Sequence, residues 1–182
     1  MNTYIHPTAV IEPGATVGTG TRVWHHAHIR EGASIGDGCN LGQNVYVDAG
    51  VTVGHRVKVQ NNVSVYAGVE LADDVFVGPS AVFTNDRVPR AADIWTLATT
   101  TVGRGASIGA NATVLAGVDI GEWAMIGAGA VVVRSVQPHE VVVGNPARRL
   151  GWVCQCGAVR VRSTGEAEID CADCGTHLPG PA

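Results

Sequence analysis

From residue 5 to residue 83 an aliphatic or aromatic side chain returns every six positions, at Ile5, Ile11, Val17, Val23, Ile29, Ile35, Leu41, Val47, Val53, Val59, Val65, Leu71, Val77 and Phe83. Four places after each of the first thirteen comes a small or β-branched residue: Ala9, Ala15, Thr21, Ala27, Ala33 and Cys39, then Val45, Val51, Val57, Val63, Val69, Val75 and Ala81. The beat resumes at Val102, Ile108, Val114, Ile120, Ile126 and Val132, which makes twenty hexads. An α-helix cannot collect this period on one face, because 3.6 residues per turn would spread those positions around its circumference. A short strand followed by a tight corner does accommodate it, and three such sides close a triangular coil of 18 residues. The expected fold is therefore all-β: a parallel β-helix of about seven triangular coils stacked ~4.8 Å apart, roughly 30 Å tall. It occupies residues 1–150, with the repeated aliphatic residues and their small partners, Cys39 included, pointing inward.

On such a prism, residues eighteen apart lie in vertical columns. One corner reads Pro7-Thr8, His25-His26, Gln43-Asn44, Asn61-Asn62, Pro79-Ser80. The second reads Pro13-Gly14, Glu31-Gly32, Ala49-Gly50, Ala67-Gly68, and the third Thr19-Gly20, Asp37-Gly38, His55-Arg56, Asp73-Asp74. Only the first offers imidazole and carboxamide groups over three consecutive coils, each with donor and acceptor capacity. Beside it run the columns His28, Tyr46, Ser64 and Arg30, Asp48, Tyr66, Thr84. Groups of this kind suit a hydroxyl-rich sugar, since one amide can accept from one hydroxyl and donate to the next. His25, His26, Gln43, Asn44, Asn61, Asn62, Tyr66 and Asp86 are the candidate substrate contacts. Asn and Asp also suit turns for backbone reasons, and stacked asparagines form amide ladders, so a purely structural origin stands beside this one.

The beat breaks at Thr84-Asn85-Asp86. An 18-residue excursion from 84 to 101, carrying Arg87, Pro89, Arg90 and Trp95, is expected to leave the wall and cover the polar corner of its own or a neighbouring chain. Asn85 is placed on the same band of coils as that corner.

Charge narrows the partners. Twelve Lys and Arg against sixteen Asp and Glu leave a net charge of -4, with no footprint for nucleic acid or an anionic membrane. No apolar run reaches the ~20 residues a membrane helix needs, and MNTYIHPTAV has no secretory character, so a cytoplasmic location is expected.

The blocks "LGQNVYV", "VQNNVSVY", "DDVFVGPSAVFTND" and "GNPARRLGW" resemble one branch of the hexapeptide-repeat acyltransferases, the N-acetyltransferases of nucleotide-linked 3-amino sugars. The resemblance spans residues 5 to about 153 and is closest to enzymes acting on UDP-2-acetamido-3-amino-2,3-dideoxy-glucuronate, with dTDP-3-amino-3,6-dideoxyhexose enzymes as the alternative. It implies a left-handed helix, an exception to right-handed crossovers. It also implies acetyl-CoA as donor, a homotrimer with active sites between neighbouring prisms, and a place in bacterial surface polysaccharide synthesis. Asn85 matches the family asparagine at the reacting centre. The pantetheine arm would pass Gly109, Ala128 and Gly129, and Asn145, Pro146 and Arg148 would lie toward the adenosine end. O-acetyltransferases of this fold use a histidine base beyond the excursion, whereas no histidine occurs here between His55 and His139. An amine needs less help than a hydroxyl, which favours N-acetylation. The rivals are a γ-type carbonic anhydrase, whose His-x4-His spacing His25, His26 and His28 do not match, and a non-catalytic scaffold.

Residues 151–182 change character. Cys154, Cys156, Cys171 and Cys174 form C-x-C and C-x2-C pairs, each second cysteine followed by glycine, which suits a structural zinc-thiolate ribbon whose strands come from AVRVRS and EAEID. Disulfides and unmetallated cysteines are the alternatives. Such a ribbon would cap the last coil and protect its edge.

Overall fold

The computed structural model describes residues 2–92, 96–160, 169–171 and 173–178. Trp95 of the expected excursion, and 161–163 and 166–168 of the expected ribbon strands, lie outside the described residues.

All but one of the hexads contribute a strand of two or three residues, the hexad of Ile120 contributing a bridge, and these form three walls. The first wall stacks Tyr4–Ile5, Arg22–Val23, Asn40–Leu41, Lys58–Val59, Phe76–Val77, Ser107–Ile108 and Met125–Ile126. The second stacks Val10–Ile11, His28–Ile29, Tyr46–Val47, Ser64–Val65, Val82–Phe83, Thr113–Val114 and Val131–Val132. The third stacks Thr16–Val17, Ser34–Ile35, Thr52–Val53, Val69–Leu71 and Thr100–Val102, continued by bridges through Ile120 and Val136. The result is a left-handed parallel β-helix of seven coils. Neighbours pair at the anticipated interval, as in Tyr4 with Arg22 and Tyr46 with Ser64.

Close stacking explains why the residue before a corner is so often glycine. A Cβ on Gly42 would stand 2.5 Å from Asn61 Oδ1, and one on Gly78 would stand 2.6 Å from the Ala110 nitrogen. The core inside is aliphatic, from Val23 and Ile29 up to Ile126 and Val132. Cys39 is buried there with its thiol 3.1 Å from the Gly54 carbonyl. Thr21 holds a small-residue position because its hydroxyl donates to Gly36 O at 2.8 Å and accepts from Cys39 N at 2.9 Å.

The excursion is two residues shorter than its sequence limits suggested. Thr100 and Thr101 already pair with Val69 and Glu70 in the third wall, so the chain is away from the wall only over 84–99. The register of the first wall records the insertion: Phe76 pairs with Ser107, after which Ser107 pairs with Met125.

Above the last coil, Glu140–Val143 lies parallel on Met125–Ile126, and Arg148–Val153 returns antiparallel to it and pairs with Val159–Arg160. The first wall therefore runs without a break into the cysteine-rich tail. Among the described residues no helix is long and apolar enough to cross a membrane.

Candidate functional site

The first corner forms as one vertical edge. Asn44 N donates to His25 O, Asn62 N to Gln43 O, Ser80 N to Asn61 O, Asn111 N to Pro79 O and Gly129 N to Ala110 O, at 2.8 to 3.0 Å. His25, His26, Gln43, Asn44, Asn61 and Asn62 are thus brought together, with Gly109, Ala128 and Gly129 farther up the same edge. The second residue of each pair has a left-handed backbone, with φ of 55° at His26, 57° at Asn44 and 62° at Asn62, which accounts for asparagine there on turn grounds. Asn44 Nδ2 also donates to Asn62 Oδ1 at 3.0 Å, the anticipated amide ladder. Among the first residues of the pairs, Asn61 also serves its turn, its Oδ1 accepting from Gln43 N at 2.9 Å. Gln43 has no special turn preference, yet it stands exposed between His25 and Asn61. On the first-wall side of this edge lies a cavity of about 250 Å³ lined by Trp24, His25, Asn40, Gly42, Gln43, Gln60 and Asn61.

Asn85, Asp86 and Tyr66 stand elsewhere. Asn85 was expected on the band of the first corner, but its Nδ2 donates to Ala67 O at 3.3 Å, which puts it on top of the second corner. The physical reason is register: the chain has crossed the second wall by Phe83, so the break falls one corner later. Tyr66 is exposed near that corner, its ring 5.9 Å from Tyr46. Asp86 Oδ1 accepts from Val88 N at 2.9 Å, a local turn that takes up one of its oxygens. Arg87 folds back, donating from Nε to Ala116 O at 3.1 Å and from a terminal nitrogen to Gly117 O at 3.0 Å. Between excursion and second wall lies a cavity of about 280 Å³, with Leu115, Val118 and Val133 on its apolar side and Thr84, Asp86 and Arg87 at its mouth. Asn145 and Pro146 lie in the turn whose flanks bond to Val131, over the top of the second wall, and Arg148 begins the returning strand.

The second wall also carries a charged network whose full extent the corner columns did not reveal. Glu12 lies 2.6 Å from His28 Nε2, Arg30 donates to Asp48 Oδ1 at 3.2 Å, and the Tyr46 hydroxyl donates to the same oxygen at 3.0 Å. Burial would raise the Asp48 carboxyl, but the Ala49 and Ala67 N–H groups, Tyr46 and Arg30 outweigh it and hold the group below its usual range. The Glu31 N–H, then His28, lower Glu12. The signal was in the eighteen-residue column Glu12, Arg30, Asp48, where the charges alternate coil by coil.

The third corner is structural. Asp37, His55 and Asp73 each accept a backbone N–H from the coil below, at 2.7, 3.0 and 2.8 Å, and Arg56 clasps Asp74 with two bonds. His28 bonds within the second wall, whereas His25 stacks on His6 at the first corner with ring centroids 3.5 Å apart. The three histidines near residue 26 do not converge.

In the tail the four cysteine sulfurs lie within 4.8 Å of one another, with Cys154–Cys174 at 3.3 Å and Cys156–Cys171 at 3.7 Å. Four sulfurs around a metal at about 2.3 Å would stand about 3.8 Å apart, so the set fits tetrahedral thiolate binding. Each pair sits in a knuckle: Gly157 N donates to Cys154 O, and Gly175 N to Cys171 O. The Thr176 hydroxyl and N–H, followed by Cys154, hold the Cys174 thiol down at about 6, which readies one thiolate near neutral pH.

The coils define the class of fold as the hexapeptide-repeat β-helix, and two family descriptions match it: "Hexapeptide repeat of succinyl-transferase" over residues 32–67 and "Bacterial transferase hexapeptide (six repeats)" over 99–134. Among solved structures, the chain is similar to a histidine-to-alanine variant of GDP-perosamine N-acetyltransferase from Caulobacter crescentus in complex with CoA and GDP-perosamine. That match has 26% identity and a TM-score of 0.57 and covers 83% of this chain and 57% of that one. The acetyltransferase domain of PglB from Neisseria gonorrhoeae matches at 26% identity and TM-score 0.57, covering 81% of this chain and 57% of that chain. A maltose O-acetyltransferase from Clostridium difficile matches at 27% and 0.58, covering 63% of this chain and 66% of that chain. The chain thus spans less than two thirds of the length of each. No curated protein is a significant match.

Proposed function

We propose that the protein transfers the acetyl group of acetyl-CoA to the amino group of a nucleotide-linked sugar, with the 3-amino group of a UDP-linked uronate as the favoured substrate. The observation that carries this reading is the first corner: three coils of imidazole and carboxamide groups stacked on one edge of a fold that N-acetyltransferases share. The sugar amine attacks the thioester carbonyl carbon, the carbon–sulfur bond breaks, and the departing thiolate takes the proton from nitrogen. No histidine base is required. Because the second wall separates Asn85 from the amide edge within one chain, the site is completed in a homotrimer, where a neighbour's excursion faces that edge. Asn85 Oδ1 has no partner among the described residues and is directed at the amine.

A thiol-release assay with acetyl-CoA tests this on UDP- and dTDP-linked 3-amino sugars beside their 3-hydroxy counterparts. Release with an amino sugar and none with the hydroxy sugar is expected. No release with any amino sugar, together with bicarbonate dehydration by metal-loaded protein, would move the assignment to an anhydrase.

The tail is proposed to bind one structural zinc through Cys154, Cys156, Cys171 and Cys174, with no position left open for substrate. Elemental analysis is expected to give one zinc per chain, lost when Cys154 and Cys171 are both changed to serine. Equal metal content in the two proteins would refute the ribbon.

A further inference from the structure

The cavity on the first-wall side of the amide edge has a donor pattern of its own. Trp24 leans up one coil and donates from Nε1 to Asn40 Oδ1 at 2.8 Å. That bond occupies the oxygen of the Asn40 carboxamide and leaves the NH2 group of this cavity-lining residue free to donate. Asn61 is fixed in the same sense, since its Oδ1 accepts from Gln43 N at 2.9 Å. Among the described residues neither amide nitrogen has a partner, and the side chains of Gln43 and Gln60 make no hydrogen bond. Gly42 lies between the levels of Trp24 and Gln60 and lets the coil of Asn61 pack closely over it, and the cavity of about 250 Å³ lies beside the half-buried indole. This is room for one planar ring rather than for a whole nucleotide.

We infer that this notch takes the base of the nucleotide-sugar, and that it selects a pyrimidine-2,4-dione, uracil or thymine. The inference rests on the acetyltransferase reading. The indole supplies a stacking face. The two outward NH2 groups match the two carbonyl oxygens of the dione, and the free carboxamide oxygen of Gln43 or Gln60 can accept from the N–H between them. Cytosine offers an amino group in place of one carbonyl and would set donor against donor. Guanine offers two donors and one acceptor along its pairing edge and mismatches in the same way. With the base here, the diphosphate passes His25 at the edge and the sugar reaches Asn44 and Asn62.

The test measures dissociation constants of UDP, dTDP, CDP and GDP by calorimetry on the full-length protein, in parallel with thiol release from the amino-sugar panel. UDP and dTDP are expected to bind at least tenfold more tightly than CDP and GDP. Trp24→Ala is expected to weaken UDP about tenfold. Asn40→Asp and Asn61→Asp keep the acceptor that each oxygen provides internally and so preserve the fold; each is expected to weaken UDP about tenfold by setting a carboxylate oxygen, an acceptor, against a carbonyl oxygen of the base in place of the NH2 donor. Equal binding of GDP, indifference of UDP to all three variants, or no binding of any diphosphate by protein that acetylates an amino sugar would each overturn the inference. Selective, Trp24-dependent UDP binding without acetyl transfer to any sugar would instead sink the acetyltransferase reading and leave the base site standing.

Discussion

Asn85→Ala is expected to lower kcat/KM for the amino sugar on the order of 100-fold, the scale of losing one positioning contact at the reacting atom, with the KM for acetyl-CoA and the melting temperature close to wild type. The side chain is anchored at one end only, through Nδ2 to the Ala67 carbonyl. That bond occupies Nδ2 and leaves Oδ1 without a partner among the described residues, the acceptor that the proposed mechanism assigns to an N–H of the attacking amine. Its neutrality matters as much as its direction. A carboxylate at the same place would favour the protonated, non-nucleophilic amine and would repel the Ala67 carbonyl. Asn85→Asp is therefore expected to be impaired at neutral pH and to recover part of its rate as pH rises, whereas Asn85→Ala recovers nothing. Steady-state kinetics over pH 6 to 9 separate the two; an alanine variant of full activity would remove Asn85 from the reacting centre.

Much of this architecture could be read from residue spacing, because in a solenoid the contact partner of residue i is residue i+18 and nothing else need be known. Tyr46 against Ser64, and Asn62 above Asn44, follow from counting. Counting stops where a coil has a different length. The thirteen extra residues between Phe76 and Ser107 hide where the excursion rejoins the third wall, and Asn85 stands one corner later than its neighbours in sequence suggest, eighteen residues on from Ala67, to which it bonds. Outward wall positions do not appear in the corner columns. Trp24, Asn40 and Gln60 sit beside the amide edge, yet each looks ordinary alone; their meaning depends on which atom of Asn40 is already bonded, and that is a fact of side-chain geometry.

The same distinction separates the two kinds of polar residue at the edges. Asp37, His55 and Asp73 are polar and stacked, as Gln43 and Asn61 are, but their acceptor atoms satisfy backbone N–H groups one coil below. Asn61 does this too, and still has a donor group to spare. A carboxylate in that role has only a further acceptor to spare, whereas a carboxamide caps the turn with its oxygen and keeps two N–H donors. That difference leaves Asn61 with free donors beside the first corner, whereas the carboxylates of the third corner have none.

Glu140→Ala is expected to destabilise the upper end of the prism by about 3 kcal/mol, the low end for breaking a buried ion pair, because the arginines it would strand are half-exposed and can be solvated. Glu140 itself is fully buried. Its Oε1 accepts from Arg134 at 2.8 Å and Arg149 Nε at 3.1 Å, and its Oε2 accepts from Gln137 N at 2.8 Å. These donors come from the last coil, the turn after it and the returning strand, and Arg149 also lies over the Trp152 ring at 5.1 Å. One carboxylate thus fastens the cap that leads into the cysteine knuckles. In a linear stack each unit is held mainly by its neighbours, so the loss stays local. Hydrogen exchange should show protection falling about 100-fold in Glu140–Val143 and Arg148–Val153, with the lower coils unaffected. Burial pushes the Glu140 carboxyl up, but Arg134, the Gln137 N–H and Arg149 together bring it below its usual value of 4.5. A lowered folded value means that the contribution is complete above about pH 4.5 and is lost as pH falls through the folded value. Wild-type protection in these strands should therefore drop on acidification below that point, while the alanine variant, already without the carboxylate, changes less; equal acid sensitivity in the two proteins would show that another group fastens the cap.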